Sequence, residues 1–288
     1  MISRNKGFLS LEFLVPTLGL VVVAVAVNLW YAFFVTPGAN DLLIQRQVKA
    51  LHATSGAKGG LDHDDRPLYL VIKDEEPKWE IVFCFWGMVV LGYKLIQVTK
   101  ERALFKQDFL RIQPGERIIP EDAFDRYKEL RTMISKEARW RERLLPECLL
   151  AALHRFHATG SIQDASNAVK ERAELAADQL DSSLSLVRYI AWAIPAIGFI
   201  GTVRGIGLGL DKAEQAIKGD ISAVTQNLGL AFNSTFVGLA LCIVLMFVLH
   251  VVQSRQEAFI IEIQTYCRDK LIDVMKVPTK EEATRSYA

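Results

Sequence analysis

Cysteine, net charge and catalytic motifs are all scarce in this chain, and each scarcity removes a class of protein. Four cysteines, Cys84, Cys148, Cys242 and Cys267, are scattered through 288 residues with no paired spacing. They read as free thiols, which excludes a small disulfide-held secreted fold. The net charge is only +1 and the basic residues are interleaved with acids, so no nucleic-acid footprint is present. No glycine-rich phosphate loop follows a strand, and neither a nucleophile elbow nor an HExxH pair occurs. Cys148, His154 and His157 imitate metal spacing, yet one helical pair without a complete ligand set reads as a surface helix. No catalytic residue, metal or cofactor is therefore expected.

What the chain has in excess is apolar length. Hydrophobic residues make up 51% of it, and the mean hydropathy is +0.19. Four runs carry the excess: 8–35, 79–98, 189–210 and 228–252. Roughly 20 apolar residues cross a bilayer, so each run has the required length. The first run has a signal-peptide alternative, with Ala24-Val-Ala26 as the cleavage site. It is read instead as a retained anchor, because it continues to Val35 and carries Trp30 and Tyr31 as an interfacial belt. Pro16 is expected to kink it where neighbours can satisfy the freed carbonyl.

The expected fold is all-α, an integral membrane protein with four transmembrane helices, the last two extended into the cytoplasm. The expected divisions are a first span at 1–36, a periplasmic loop at 37–78 and a second span at 79–98. A cytoplasmic helical region follows at 99–188, then a membrane hairpin at 189–252 and a helix extension and tail at 253–288. In the loop, residues 68–72 suit a short strand, but a solvated loop with a helical start near Asp41 is preferred. Phe124, Tyr127, Leu130, Ile134 and Leu144 predict an amphipathic helix over 121–145. A second runs over 147–158 and ends at Gly160. Ser161 and Asp164 resemble a capping box. From there to Leu210 the only proline is Pro195, so one helix of roughly 75 Å is expected at 1.5 Å per residue. Asp220 is the expected N-cap of the last helix, and the tail after Pro278 is read as disordered. Arg4, Lys6, Lys94, Lys100, Arg102, Lys106, Arg188 and Arg255 flank one side of the membrane. The positive-inside rule then puts both termini and 99–188 in the cytoplasm.

Within the hairpin, Gly201, Gly205 and Gly209 recur every fourth residue and form one narrow ridge. Such a ridge lets another helix approach closely. Thr202 lies beside it. Ala231, Thr235, Gly238 and Cys242 form a matching stripe on the second half. A threonine in a membrane helix often bonds its own carbonyl four residues back. Two threonines on facing small-residue stripes argue further, for an ion pathway lined by Thr202, Thr235 and Ser234. Asn233 points nearly opposite Thr235 at about 100° per residue, so it is expected to bond a neighbouring helix or subunit. Arg204 is a full charge deep in an apolar run, for which a paired role with Glu80 or Asp211 is expected. Glu12 is taken as interfacial, and no span carries a carboxylate near its middle. A proton relay through a bilayer normally uses Asp, Glu or His, so the titrating group must come from another chain. Arg139-Trp-Arg-Glu-Arg143 is a charged face that suits solvent or a docking partner.

Two runs carry a resemblance. Gly198-Phe-Ile-Gly-Thr-Val-Arg-Gly-Ile206 is similar to the G-x-x-G-T-V-x-G-I stretch of the MotA/TolQ/ExbB proton-channel family. Ala231-Phe-Asn-Ser-Thr-Phe-Val-Gly-Leu239 resembles the threonine-and-glycine stretch of that family's last transmembrane helix. The resemblance covers 189–260. It implies a pentamer of this subunit around a dimer of a single-span partner of the ExbD/TolR/MotB kind, whose aspartate carries the ion. It also implies pore-lining roles for Thr202 and Thr235 and a helix-shaping role for Pro195, with Gly198, Gly201, Gly205, Gly209 and Gly238 in packing. The chain departs from both main branches. Leu230 stands where the transport branch has a glutamate, and Val248 where flagellar stators have a late proline. The function expected is a ring-forming subunit of a proton-driven (or sodium-driven) motor in the bacterial inner membrane, with no nucleic-acid partner. The competing reading is a passive membrane scaffold whose cytoplasmic helices dock other proteins.

Overall fold

The computed structural model describes residues 11–53, 71–113, 115–137, 140–141, 143–213, 217 and 221–277. It is 88% helical, without strands among the described residues. Four helices are long and apolar enough to cross a membrane: Leu14–Leu42, Glu75–Lys106, Ile162–Leu210 and Val224–Val274. The protein is thus an all-α membrane protein, as its apolar runs predict.

In chain order the elements begin with α1 (Leu11–Trp30), a π-helical turn (Tyr31–Val35) and α2 (Thr36–Ala53). After α3 (Glu75–Arg102) and a 3-10 turn (Ala103–Lys106) come α4 (Pro120–Lys136), α5 (Leu144–Thr159) and α6 (Ile162–Ser182). Then follow α7 (Ser185–Leu210), α8 (Ser222–Lys270) and a last 3-10 turn (Ile272–Val274). The 49 residues of α8 reach about 74 Å at 1.5 Å per residue, more than twice the ~30 Å of bilayer hydrocarbon.

Several expected boundaries move. The chain stays helical past Val35 through the π turn into α2, where a loop beginning at 37 was expected. Of the strand considered at 68–72, Val71 and Ile72 are helical and the rest falls outside the described residues. So do the N-cap at Asp220, the tail from Pro278, Arg4 and Lys6, and Arg139 and Glu142 of the charged face. The amphipathic helix expected over 121–145 ends at Lys136, because Glu137 turns extended (φ −115°, ψ 111°). Leu144 and Leu145 belong to α5 instead, whose third residue is Pro146, a position where no backbone donor is needed. Gly160 closes α5 in the left-handed region (φ 64°), and its N–H donates to Phe156 O at 2.8 Å. Ser161 Oγ then caps α6 by accepting from Asp164 N at 3.2 Å. The single helix expected from Ser161 to Leu210 carries a turn at Ser183 and Leu184, where α6 gives way to α7.

The chain divides into two compact units. The first takes 1–92 and 186–250. Its core places Val23, Val27, Tyr31 and Val35 against Ile72, Ile81, Val82 and Val237. The Tyr31 hydroxyl donates to Ile72 O at 2.7 Å, and the Trp86 indole N–H to Pro16 O at 2.8 Å. The second unit takes 93–185 and 251–288. Leu149, Leu153 and Phe156 of α5 pack there with Ile263 and Cys267 of α8, all fully buried. All four cysteines are free. Burial pushes the Cys148 thiol up to about 12, which leaves it an inert core residue. His157 stacks on Phe124 with centroids 4.8 Å apart, and its Nδ1 lies 2.9 Å from Pro120 O. Those contacts give the histidine a packing role in the α4–α5 contact.

Candidate ion-conducting site

The site is built where α7 and α8 cross within the first unit. The glycine ridge of α7 makes the approach close. A Cβ at Gly205 would stand 2.7 Å from Ala231 Cβ and 3.0 Å from its backbone. At Gly201 it would stand 2.8 Å from Ser234 Cβ, and at Gly198 3.1 Å from Thr235 Cα. Gly209, nearer the end of α7, has only ordinary contacts at 3.8 Å or beyond. The ridge expected from the fourfold spacing is therefore the contact line itself, tightest at Gly201 and Gly205.

Thr202 and Thr235 meet on this line. Their hydroxyls hydrogen-bond each other, and each also reaches across to the other helix. Thr202 Oγ1 donates toward Ala231 O at 3.2 Å, with Gly198 O of its own helix equally near. Thr235 Oγ1 lies 3.1 Å from Gly198 O. Only Thr202 thus makes the bond to its own helix that such threonines often make. Each hydroxyl is placed against the carbonyl that the other's own helix exposes, and both residues keep intermediate exposure. Ser234 differs: it is 3% exposed, and its Oγ has no hydrogen-bond partner. Asn233 has intermediate exposure. Pro195 sits inside α7 and lacks the N–H that would bond Ala191 O. The Cys242 thiol donates to that carbonyl instead, at 3.2 Å. A proline on one helix is thus matched by a cysteine on the other.

Two acids of α3 complete the site. Arg204 pairs with Glu76, not with Glu80 or Asp211: its Nε and Nη2 lie 3.0 Å from the two carboxylate oxygens. The reason is register. The helix begins at Glu75, a turn before the apolar run at 79, which puts Glu76 opposite Arg204 and carries Glu80 one turn further along the same face. Asp211 lies at the end of α7, where its N–H donates to Gly207 O. Glu80 is fully buried, and neither carboxyl oxygen has a hydrogen-bond partner. A Cβ built at either Gly198 or Gly238 would lie 3.0 Å from its Oε1. Both glycines fall near the middle of the runs 189–210 and 228–252. No span carries a carboxylate near its own middle, yet Glu80, from the start of the run 79–98, lies against the central glycines of both hairpin helices. A missing side chain on each neighbour makes the room that its carboxyl occupies. Just before α3, burial holds the Asp74 carboxyl above the usual range, with Lys73 opposing.

The arrangement offers two hydroxyls, a free serine and a buried carboxyl around one glycine-lined crossing. It holds no nucleophile–base pair, and no cluster of three metal-binding side chains exists among the described residues. No curated protein and no solved structure matches the chain. A family model does match residues 141–265, that of the MotA/TolQ/ExbB proton channel family. Members of that family form ion-driven, motor-type proton channels and work with single-span partner proteins. The matched stretch holds the whole α7–α8 crossing, with Thr202, Thr235 and Ser234, whereas Glu76 and Glu80 precede it. Over residues 141–265, under half of its length, this membrane protein is therefore similar to the MotA/TolQ/ExbB proton channel family.

Proposed function

We propose that this chain is the ring-forming subunit of a proton-driven motor, with sodium as the runner-up ion, in the bacterial inner membrane. Both termini face the cytoplasm. Five copies surround a dimer of a single-span partner of the ExbD/TolR/MotB kind. The observation that carries this reading is the pair Thr202–Thr235, hydroxyl to hydroxyl across a glycine-lined crossing inside the matched stretch. A carboxylate on the partner helix takes a proton from outside and loses its charge. It then passes the narrow apolar ring beside the two threonines, and release inward turns the ring by one step. A bare carboxylate in hydrocarbon costs several kcal/mol or more, so the neutral acid is the form that crosses. Asn233 supports the assembly by bonding a neighbouring subunit, and lipid covers the outer apolar faces. The chain contributes no catalytic group; its work is conduction and movement.

The test is Thr235→Val in the complex purified with the product of the adjacent reading frame. Valine keeps the shape and removes the hydroxyl that reaches Gly198 O. Ion flux into proteoliposomes should fall to background while the oligomer keeps its mass. Full flux in the variant would overturn the pore role of Thr235, and a wild-type complex without flux would favour the passive scaffold, in which the hydroxyls serve only to pack α7 on α8.

A further inference from the structure

The ion-driven reading leaves Glu80 unused, and Glu80 is the least explained group in the protein. A carboxyl with 0% exposure needs a partner, a proton or a cation, since its charged form alone in an apolar interior is very costly. Arg204 is committed to Glu76 through both nitrogens, and Lys78 pairs with Glu75 at 3.7 Å. The niche around Glu80 is formed by absent side chains: Gly198 on α7 and Gly238 on α8 each leave 3.0 Å between a would-be Cβ and Oε1. Ser234, on the face of α8 toward Gly201, keeps a buried hydroxyl with no partner of its own.

We propose that Glu80 is a proton-binding carboxyl of this chain's own on the ion path, loaded and unloaded beside the Thr202–Thr235 crossing. This deepens the ion-driven reading and rests on it. The groups that face Glu80 set how it titrates. From its own helix this is Glu76, which Arg204 of α7 pairs. From α8 it is Ser234, and from the π-helical turn Tyr31, whose hydroxyl is engaged with Ile72 O. Arg204 pairs with Glu76, and Lys78, two residues before Glu80, pairs with Glu75 and lies over the Tyr31 ring. Binding and release need no other reactant: a proton adds to one carboxylate oxygen and leaves from it.

The probe is dicyclohexylcarbodiimide, an apolar reagent that couples to protonated carboxyls, applied to the full-length protein in membranes and read by peptide mass. Glu80 should be labelled, more slowly as pH rises, and sodium at fixed pH should not protect it. In proteoliposomes of the purified complex, Glu80→Gln should assemble normally yet lose proton flux by roughly a hundredfold, the scale of removing a working proton-transfer group. Glu80→Asp should retain part of it. Should Glu80→Gln fail to assemble, Gly238→Ala, which crowds the carboxyl, should slow both labelling and flux. Unlabelled Glu80, or normal flux in an assembled Glu80→Gln complex whose Thr235→Val counterpart is silent, overturns this inference and spares the ion-driven reading. Sodium protection overturns the assignment to protons. A wild-type complex that conducts no ion overturns both.

Discussion

At Gly205 a methyl group would fall 2.7 Å from Ala231 Cβ and 3.0 Å from Ala231 N, closer than side chains normally approach. Backbone cannot yield as a flexible side chain does, so Gly205→Ala must part α7 from α8. We expect a loss of about 1–3 kcal/mol, the usual cost of overpacking. Gly207, two residues on, meets nothing within 4 Å. Gly207→Ala should be neutral or stabilise by about 0.5–1 kcal/mol through helix propensity. Thermal unfolding of the two variants in detergent distinguishes them, and equal midpoints would refute close packing along the ridge. These glycines were legible in the sequence because a fourfold repeat is a property of a single helix. Ser234 was legible only as a neighbour of Thr235. That its hydroxyl ends up buried without a partner depends on Gly201 of another helix.

Pairs between helices carry the next level of information. Arg204 and Glu76 join α7 to α3 through two 3.0 Å contacts, with side-chain exposures of 54% and 11%. Arg204→Leu leaves a mostly buried carboxylate without its cation. We expect a cost of about 1–3 kcal/mol, below the ~3–5 of a fully buried pair because Arg204 is itself half exposed. Adding Glu76→Gln should recover part of that loss, and a double-mutant cycle on stability measures the coupling. Additive effects would mean that the pair does not hold the helices together. The sequence marked Arg204 as needing a partner, since a lone charge in an apolar run is costly. It offered Glu80 and Asp211, and the partner is Glu76. The choice follows from where α3 begins and how far it is slid along α7. The Pro195–Cys242 match is of the same kind: the proline announces a freed carbonyl, and only the packing says which residue meets it.

Over the whole molecule, large apolar side chains face outward on the hairpin, among them Trp192, Phe199, Val203, Phe236, Ile243 and Phe247, each more than half exposed. A soluble monomer does not display such a surface. Washing membranes with alkaline carbonate should therefore leave the chain in the pellet. Its release into the supernatant would contradict the four-span reading. The same surface is what lipid and neighbouring subunits would cover in a ring.

Membrane residence, helical class, the four apolar runs and the threonine stripes were fixed by the sequence itself. Each is a matter of length or periodicity along one stretch of chain, and the bilayer's thickness supplies the ruler. Helix ends were less secure, as at Lys136, because a charged amphipathic pattern continues past the point where the backbone turns. The partner of Arg204, the cross-bonded threonine hydroxyls and the burial of Glu80 were decided only by tertiary structure. Each depends on the rotation and axial offset of one helix against another. Those quantities are set by where glycines leave room, and no single segment encodes them.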